Sequence, residues 1–258
     1  MDRLLPWSSV WITGASSGIG REVALLVAAA GARVAISARS GDRLADVAGR
    51  SERLTAVPLD VTDRAATAAA VDAIERAQGP LDLAILNAGV WQPMGARGFD
   101  AETSARSMEV NYLGLANALE TLIPRMTGRG RGHIALVASV AGYRGLPQAA
   151  AYAPSKAAVI SLAETLAPDL ARQGVTLSVI NPGFVDTPMT AVNRFPMPFL
   201  IPAEEAARRI VDGLARKKFE IAFPWQLVAM LKLARVLPYP AYFWFARSFL
   251  MPRRKGDG

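Results

Sequence analysis

Residues 10–20 read Val10-Trp11-Ile12-Thr13-Gly14-Ala15-Ser16-Ser17-Gly18-Ile19-Gly20, and this run decides the expected fold. Its first four residues form a short apolar strand and the next seven a glycine-rich turn. The following stretch, 21–30, is rich in helix formers and stops at Gly31. Glycines between a strand and a helix permit a tight turn and let the backbone approach a pyrophosphate. The helix N-terminus behind them offers free N–H groups and the positive end of its dipole. A plain structural turn has similar letters; the position directly after the first strand favours the nucleotide reading.

Outward from this turn, short apolar runs alternate with longer helical ones. Residues 33–37 are strand-like, 42–50 helical and 54–59 a third strand. An alanine-rich helix over 63–77 stops at Gly79-Pro80. Residues 81–86 are continuously apolar, as a strand buried on both faces must be. A long helix is expected over 101–126, a strand over 133–138, a helix over 151–173 and a strand over 176–180. Strands separated by helices imply right-handed crossovers. The expected fold is therefore α/β: a doubly wound, Rossmann-type parallel sheet with helices on both faces. One catalytic domain is expected over residues 1–218. It contains a Pro- and Met-rich loop at 187–202 that resists assignment, and a helical extension follows at 219–258.

Composition narrows the chemistry. A 258-residue chain that is 52% hydrophobic and 20% charged can bury a sheet and is not disordered. Without cysteine there are no disulfides, thiolate nucleophiles or Cys-based metal sites. The single histidine, His133, is expected as a satisfied surface or edge residue, and no metal site is expected. The first residues lack the apolar stretch of a signal peptide, and no apolar run reaches the roughly 18 residues of a membrane span, so a cytoplasmic protein is expected. The net charge of +7 is uneven: from Trp225 onward six basic side chains face one acid, Asp257, which leaves +2 for all that precedes. No nucleic-acid partner is expected from so weakly basic a body, and Gly128-Arg129-Gly130-Arg131-Gly132 reads as a connection before a strand.

The second chemical signal is Ser139, Tyr152 and Lys156. Tyr152 and Lys156 are four apart on an expected helix, hence on one face. A free tyrosine titrates near about 10, and a neighbouring ammonium favours its phenolate. Ser139 follows a strand at the end where doubly wound sheets hold ligands, so its hydroxyl can hold a carbonyl oxygen while Tyr152 protonates it. A Tyr-x-x-x-Lys pair alone is common on solvated helix faces.

In combination these motifs resemble the short-chain dehydrogenase/reductase family in its compact form. The match runs in order through Thr13 to Gly20, Asn87-Ala88-Gly89, Asn111, Ser139 with Tyr152 and Lys156, and Pro182-Gly183. It is strong over about 8–190, fades in 187–202 and is weak after Phe219. The resemblance implies a catalytic set of Asn111, Ser139, Tyr152 and Lys156, with Asn111 bending its helix and holding a water in a proton relay through Lys156. It implies cofactor contacts from Gly14, Ser16, Ser17, Gly18, Ile19 and Gly20, and from Asp60-Val61 beside adenine. Asn87, Ala88 and Gly89 would border the cofactor, Tyr152 and Lys156 would both contact it, Lys156 by a bond to the nicotinamide ribose, and Pro182, Gly183, Val185 and Thr187 would face the carboxamide. A homo-oligomer, dimer or tetramer, is likewise implied.

The end of the second strand reads Ser37-Ala38-Arg39-Ser40, with no acid at Ala38 and a guanidinium at Arg39 suited to a 2′-phosphate. NADP(H) is therefore expected over NAD(H); the competing reading is an Arg39 that stacks on adenine without preference. The expected reaction interconverts a ketone or aldehyde with an alcohol on a small, apolar or lipophilic molecule. Met94 and Tyr143, after strand ends, and Met189, Phe195 and Phe199, in the 187–202 loop, are expected to line its pocket. That loop has a second reading as a contact with another subunit. The alternatives on the same fold are a catalytically idle nucleotide sensor or scaffold, and an epimerase or dehydratase whose glycine spacing and extra domain this chain lacks.

The C-terminal stretch departs from the family's short ending. Nine of the 19 aromatic residues lie from Phe219 onward. A helix is expected over 225–237, interrupted by Pro238 and Pro240, before the aromatic segment 241–251 and the basic Arg253-Arg254-Lys255. Two readings stay open for 225–255: contact with a membrane surface, peripheral at the inner face, or a dimer contact or lid that buries the same aromatics.

Overall fold

The structure is a computed structural model that describes residues 5–193 and 195–250, with the backbone alone at 249–250. The first half alternates as expected: β1 (Ser9–Thr13), α1 (Gly18–Ala29), β2 (Arg33–Ser37), α2 (Gly41–Ala48), β3 (Leu54–Ala56), α3 (Arg64–Gln78) and β4 (Leu83–Leu86). Two helices, α4 (Ala101–Met108) and α5 (Gly114–Gly128), lead to β5 (Gly132–Val137), α6 (Tyr152–Arg172) and β6 (Val175–Pro182). A two-residue pair, β7 (Val185–Asp186) and β8 (Ile201–Pro202), brackets the loop after β6. The chain continues through α7 (Ala203–Ala215), β9 (Glu220–Phe223), α8 (Trp225–Val236) and α9 (Tyr239–Phe245).

Seven strands form one parallel sheet in the order β3-β2-β1-β4-β5-β6-β9. Side chains alternate across it because the strand period is two. Val10 and Ile12 pack on one face with Val23 and Val27 of α1 and Ile210 and Leu214 of α7. Trp11 packs on the other with Val71 of α3, Leu119 and Leu122 of α5, and Val159 of α6. Burial on both faces is why the centre of β1, Val10-Trp11-Ile12, and all of β4 are apolar. From β1 the chain winds outward to β2 and β3, then returns to place β4 on β1's other side. The crevice at this reversal opens at the carboxyl ends of β1 and β4.

Several expectations are corrected. The regular third strand ends at Ala56 instead of 59, although Val57 N and Leu59 N still bond Ile36 O and Ala38 O; Pro58, between them, faces the open edge of the sheet, where no partner needs its N–H. The long helix of 101–126 is interrupted by a π-turn at Glu109–Leu113. The domain boundary expected after residue 218 does not coincide with the edge of the sheet, since Glu220–Phe223 pairs with β6 as the seventh strand. His133 is buried in the interior strand β5, not at a surface or edge. Its Nε2 lies 2.8 Å from Ser178 Oγ, and burial pushes its pKa down to about 4. The tail Arg253-Arg254-Lys255 lies outside the described residues.

Candidate active site

The glycine turn is built where β1 and β4 meet. Gly14 and Gly18 have φ of +69° and +55°, a region that L side chains rarely adopt. A Cβ at Gly14 would sit 2.8 Å from Ala88 Cα, and one at Gly20 would sit 2.6 Å from both Asn87 Nδ2 and Gly14 O. The close approach is locked by hydrogen bonds. Thr13 Oγ1 accepts from the backbone N–H groups of Asn87 (2.9 Å) and Ala88 (3.1 Å). Asn87 Nδ2 donates to the carbonyls of Thr13 (3.0 Å) and Gly14 (3.1 Å).

From this turn a cleft of about 330 Å3 runs along the strand ends. It is lined by Gly14, Ser16, Ser17, Gly18 and Ile19, then by Arg39, Asp60 and Val61 towards β2 and β3. Asn87, Ala88 and Gly89 border its centre, and Ser139, Tyr152, Lys156, Pro182, Gly183, Val185, Thr187 and Met189 border its far end. Gly20 and Asn111 stand behind this lining. At the β2 end, burial works against the Asp60 carboxylate. Donation from Thr62 N (3.0 Å) and Oγ1 (2.8 Å) and the charges of Arg39 and Arg106 still hold its pKa below the usual range.

At the far end, Ser139 caps a short 3-10 turn, Val140–Gly142. Its Oγ accepts from Ala141 N at 3.1 Å and donates to Pro182 O at 3.3 Å, and it borders the cleft beside Tyr152. Tyr152 is the first residue of α6, and Lys156 lies one turn later, with Nζ 5.6 Å from the Tyr152 ring centre. Lys156 Nζ donates to Val137 O at 2.9 Å. Burial dominates both groups: it pushes the tyrosine up to about 12, which the Ser139 hydroxyl opposes, and the lysine down to about 8. The expectation that the lysine cation sets the tyrosine's acidity is thus corrected for the chain by itself, in which Tyr152 is a neutral phenol at neutral pH. Asn111 lies in the π-turn; its Oδ1 accepts from Val90 N (2.7 Å) and its Nδ2 donates to Val90 O (3.1 Å) and Ser155 Oγ (2.9 Å). Gly89 lets these groups approach, since a Cβ there would sit 3.1 Å from Asn111 Oδ1 and 3.5 Å from Lys156 Nζ.

Four of the five expected substrate-lining residues are not in the cleft lining. Met94 is buried by backbone bonds to Gln148 and Ala150, and its sulfur accepts from Asp100 N. The Tyr143 hydroxyl is drawn to Glu220 at 2.5 Å. Phe195 packs on Phe184, with ring centres 6.1 Å apart, and Phe199 is half-exposed. Sequence reasoning missed two contributors. Arg43, in the first turn of the helix that follows Arg39, joins it in the cleft wall. Trp91 stands edge-on to Tyr152, centres 5.0 Å apart, and its Nε1 donates to Asn193 Oδ1 in the 187–202 loop at 2.8 Å.

The glycine cradle, which a Cβ would fill, and the cleft from Arg39 to Tyr152 fit a nicotinamide dinucleotide. Fold and cleft together define a dinucleotide-binding α/β protein. The family described as short chain dehydrogenase matches residues 8–196, and this chain belongs to it, as an oxidoreductase. A Myxococcus xanthus protein described as an uncharacterized oxidoreductase is 38% identical over 242 residues, 92% of this chain and 96% of its own. The 2-dehydro-3-deoxy-L-rhamnonate dehydrogenase (NAD(+)) of a Sphingomonas strain is 35% identical over 185 residues, 69% of this chain and 72% of its own. A short chain dehydrogenase/reductase of Burkholderia phymatum, solved in complex with NAD, superposes with a TM-score of 0.83 at 27% identity, covering 90% of this chain and 94% of that one.

Proposed function

We propose that this chain is an NADP(H)-dependent oxidoreductase that interconverts a ketone or aldehyde with an alcohol on an apolar small molecule. The observation that carries this reading is the Tyr152 phenol. It shares the cleft wall with the Ser139 hydroxyl, which favours its phenolate, has Lys156 one turn behind it, and borders the same cleft as the glycine turn. The bound nicotinamide would supply or accept the hydride. The Ser139 hydroxyl orients the carbonyl oxygen, and Tyr152, protonated at neutral pH, gives that oxygen its proton. The phenolate left behind is stabilised by the Lys156 cation, whose field is strong in a buried site. Asn111 holds Gly89-Val90 and Ser155, and so keeps the cleft floor and α6 in register. It also anchors the proposed water relay through Lys156.

The glycine turn, Asp60-Val61, Asn87 to Gly89, Lys156, and the segment Pro182 to Thr187 would hold the cofactor. The Burkholderia structure contains NAD and the Sphingomonas relative is described with NAD(+). For this chain NADP(H) is supported by Ala38 standing where a carboxylate would repel a 2′-phosphate, and by Arg39 and Arg43 in the cleft wall. Trp91 beside Tyr152 and Met189 in the wall support an apolar substrate. Cytoplasmic placement, homo-oligomerisation and a peripheral contact at a membrane face complete the proposal. The test compares catalytic efficiency with NADPH and NADH on a panel of long-chain and steroid-like carbonyl compounds. NADPH is expected to be preferred, and Arg39→Asp to reverse the order; a wild type that prefers NADH refutes the cofactor assignment, and no oxidation of either refutes the activity.

A further inference from the structure

The C-terminal helices leave one face uncovered. On α8 the residues Leu227, Leu231 and Ala234, spaced as one helix stripe, are buried against the body. The opposite stripe is in solvent: Trp225 is 71%, Leu233 64% and Val236 74% exposed. It continues onto α9, where Tyr239 is 69% exposed and stacks on the half-exposed Phe243, ring centres 5.8 Å apart. Monomers rarely expose so many large apolar side chains together without a partner. Charge narrows the choice of partner. From Trp225 to Ser248 the chain has three cations, Lys232, Arg235 and Arg247, and no acid. Lys232 is paired with Glu220 of β9, while Arg235 and Arg247 are exposed.

We propose that α8 and α9 form a docking face for an anionic lipid surface, with the aromatic stripe in the interface and Arg235 and Arg247 among the headgroups. A second copy of the same face would oppose cation to cation, whereas an anionic bilayer complements it. Among the described residues no helix is long and apolar enough to cross a membrane, so the pair lies along the surface. Trp and Tyr suit this depth because each has an apolar body and a polar edge. The face is also mounted on the active-site segment. Arg144 Nη1 donates to Arg235 O at 2.6 Å, and its guanidinium lies 4.9 and 4.4 Å from the ring centres of Tyr239 and Tyr242. The Tyr242 hydroxyl donates to Gly145 O. Both anchors fall between Ser139 and Tyr152, so lipid docking bears on the segment that carries the proposed chemistry.

The inference says where the proposed enzyme works and needs none of its chemistry, so its test reads binding without substrate. Full-length protein is floated with vesicles of phosphatidylcholine alone or mixed with phosphatidylglycerol. The wild type is expected to float with the mixed vesicles at low salt and to be released at high salt. The double variant Arg235→Gln/Arg247→Gln, which retains the sequence's basic tail, and the variant Trp225→Ser/Phe243→Ser are each expected to bind about tenfold less. Both should keep wild-type circular dichroism. No flotation of the wild type at low salt, or equal flotation of the folded variants, overturns the proposal. So does a dimer, seen by sedimentation velocity, that Trp225→Ser/Phe243→Ser dissolves, because a second copy then occupies the face.

Discussion

The two halves of the cleft were written into the chain in different ways. The half that fits the dinucleotide is made by backbone: positive φ at Gly14 and Gly18, the space at Gly20, and an asparagine that ties β4 to β1. The half beside Tyr152 is made by side chains reaching in from distant segments, such as Trp91 bonded to Asn193 across 102 positions. A backbone requirement leaves a local imprint, because only glycine satisfies it. A side-chain requirement is met wherever the fold delivers a suitable group, and nothing near that group in sequence marks the appointment.

This difference can be broken or sharpened by mutation. The largest effect is expected at the seam between the halves. Lys156→Met should lower turnover on the order of 10^3-fold, since it removes the charge that stabilises the phenolate. Its titration gives a direction with pH. Burial holds the lysine down at about 8, so the cation is present below that value and lost above it. Carbonyl reduction by the wild type should therefore fall as pH rises through about 8, and the methionine variant should lack that limb. A pH profile of kcat for both proteins checks this.

On the dinucleotide side, Gly20→Ala places a Cβ 2.6 Å from Asn87 Nδ2 and Gly14 O. Backbone must shift to relieve it, at a cost of about 1–3 kcal/mol in urea denaturation, with weakened NADPH binding. The smallest effect belongs to the other half. Trp91→Phe keeps a ring against Tyr152 but removes the donor to Asn193. A loss of about 1 kcal/mol should appear as a several-fold rise in KM with kcat nearly unchanged, and adding Asn193→Ala should cost little more because both variants break one bond. An equal fall in kcat would place Trp91 in the chemistry and blur the distinction between the halves.

The same contrast explains what was legible. The parallel sheet, the order of elements through β6 and the turn at residues 13–20 follow from periodicity and glycine placement, and they stand. The seventh strand was cut off by a boundary at 218, because β9 has only four residues and begins with Glu220. The helix α7 went unread although Ala206, Ile210 and Leu214 mark one buried stripe behind acidic Glu204 and Glu205. Tyr143 and Phe195 were placed in the pocket by their position after a strand and in a loop. Glu220, 77 residues from Tyr143, and the ring of Phe184 claim them instead. Burial dominates the Tyr152 phenol, because taking a phenolate out of water costs more than the neighbouring Ser139 hydroxyl returns.

In the proposed reaction the Tyr152 phenol is the group that exchanges a proton with the substrate oxygen. Its most direct test is Tyr152→Phe, assayed twice on the same preparation: NADPH binding by fluorescence titration and carbonyl-dependent NADPH oxidation at saturating cofactor. Binding within about twofold of wild type with turnover lowered about 10^3-fold or more is the predicted result. Undiminished turnover in the phenylalanine variant would contradict the account.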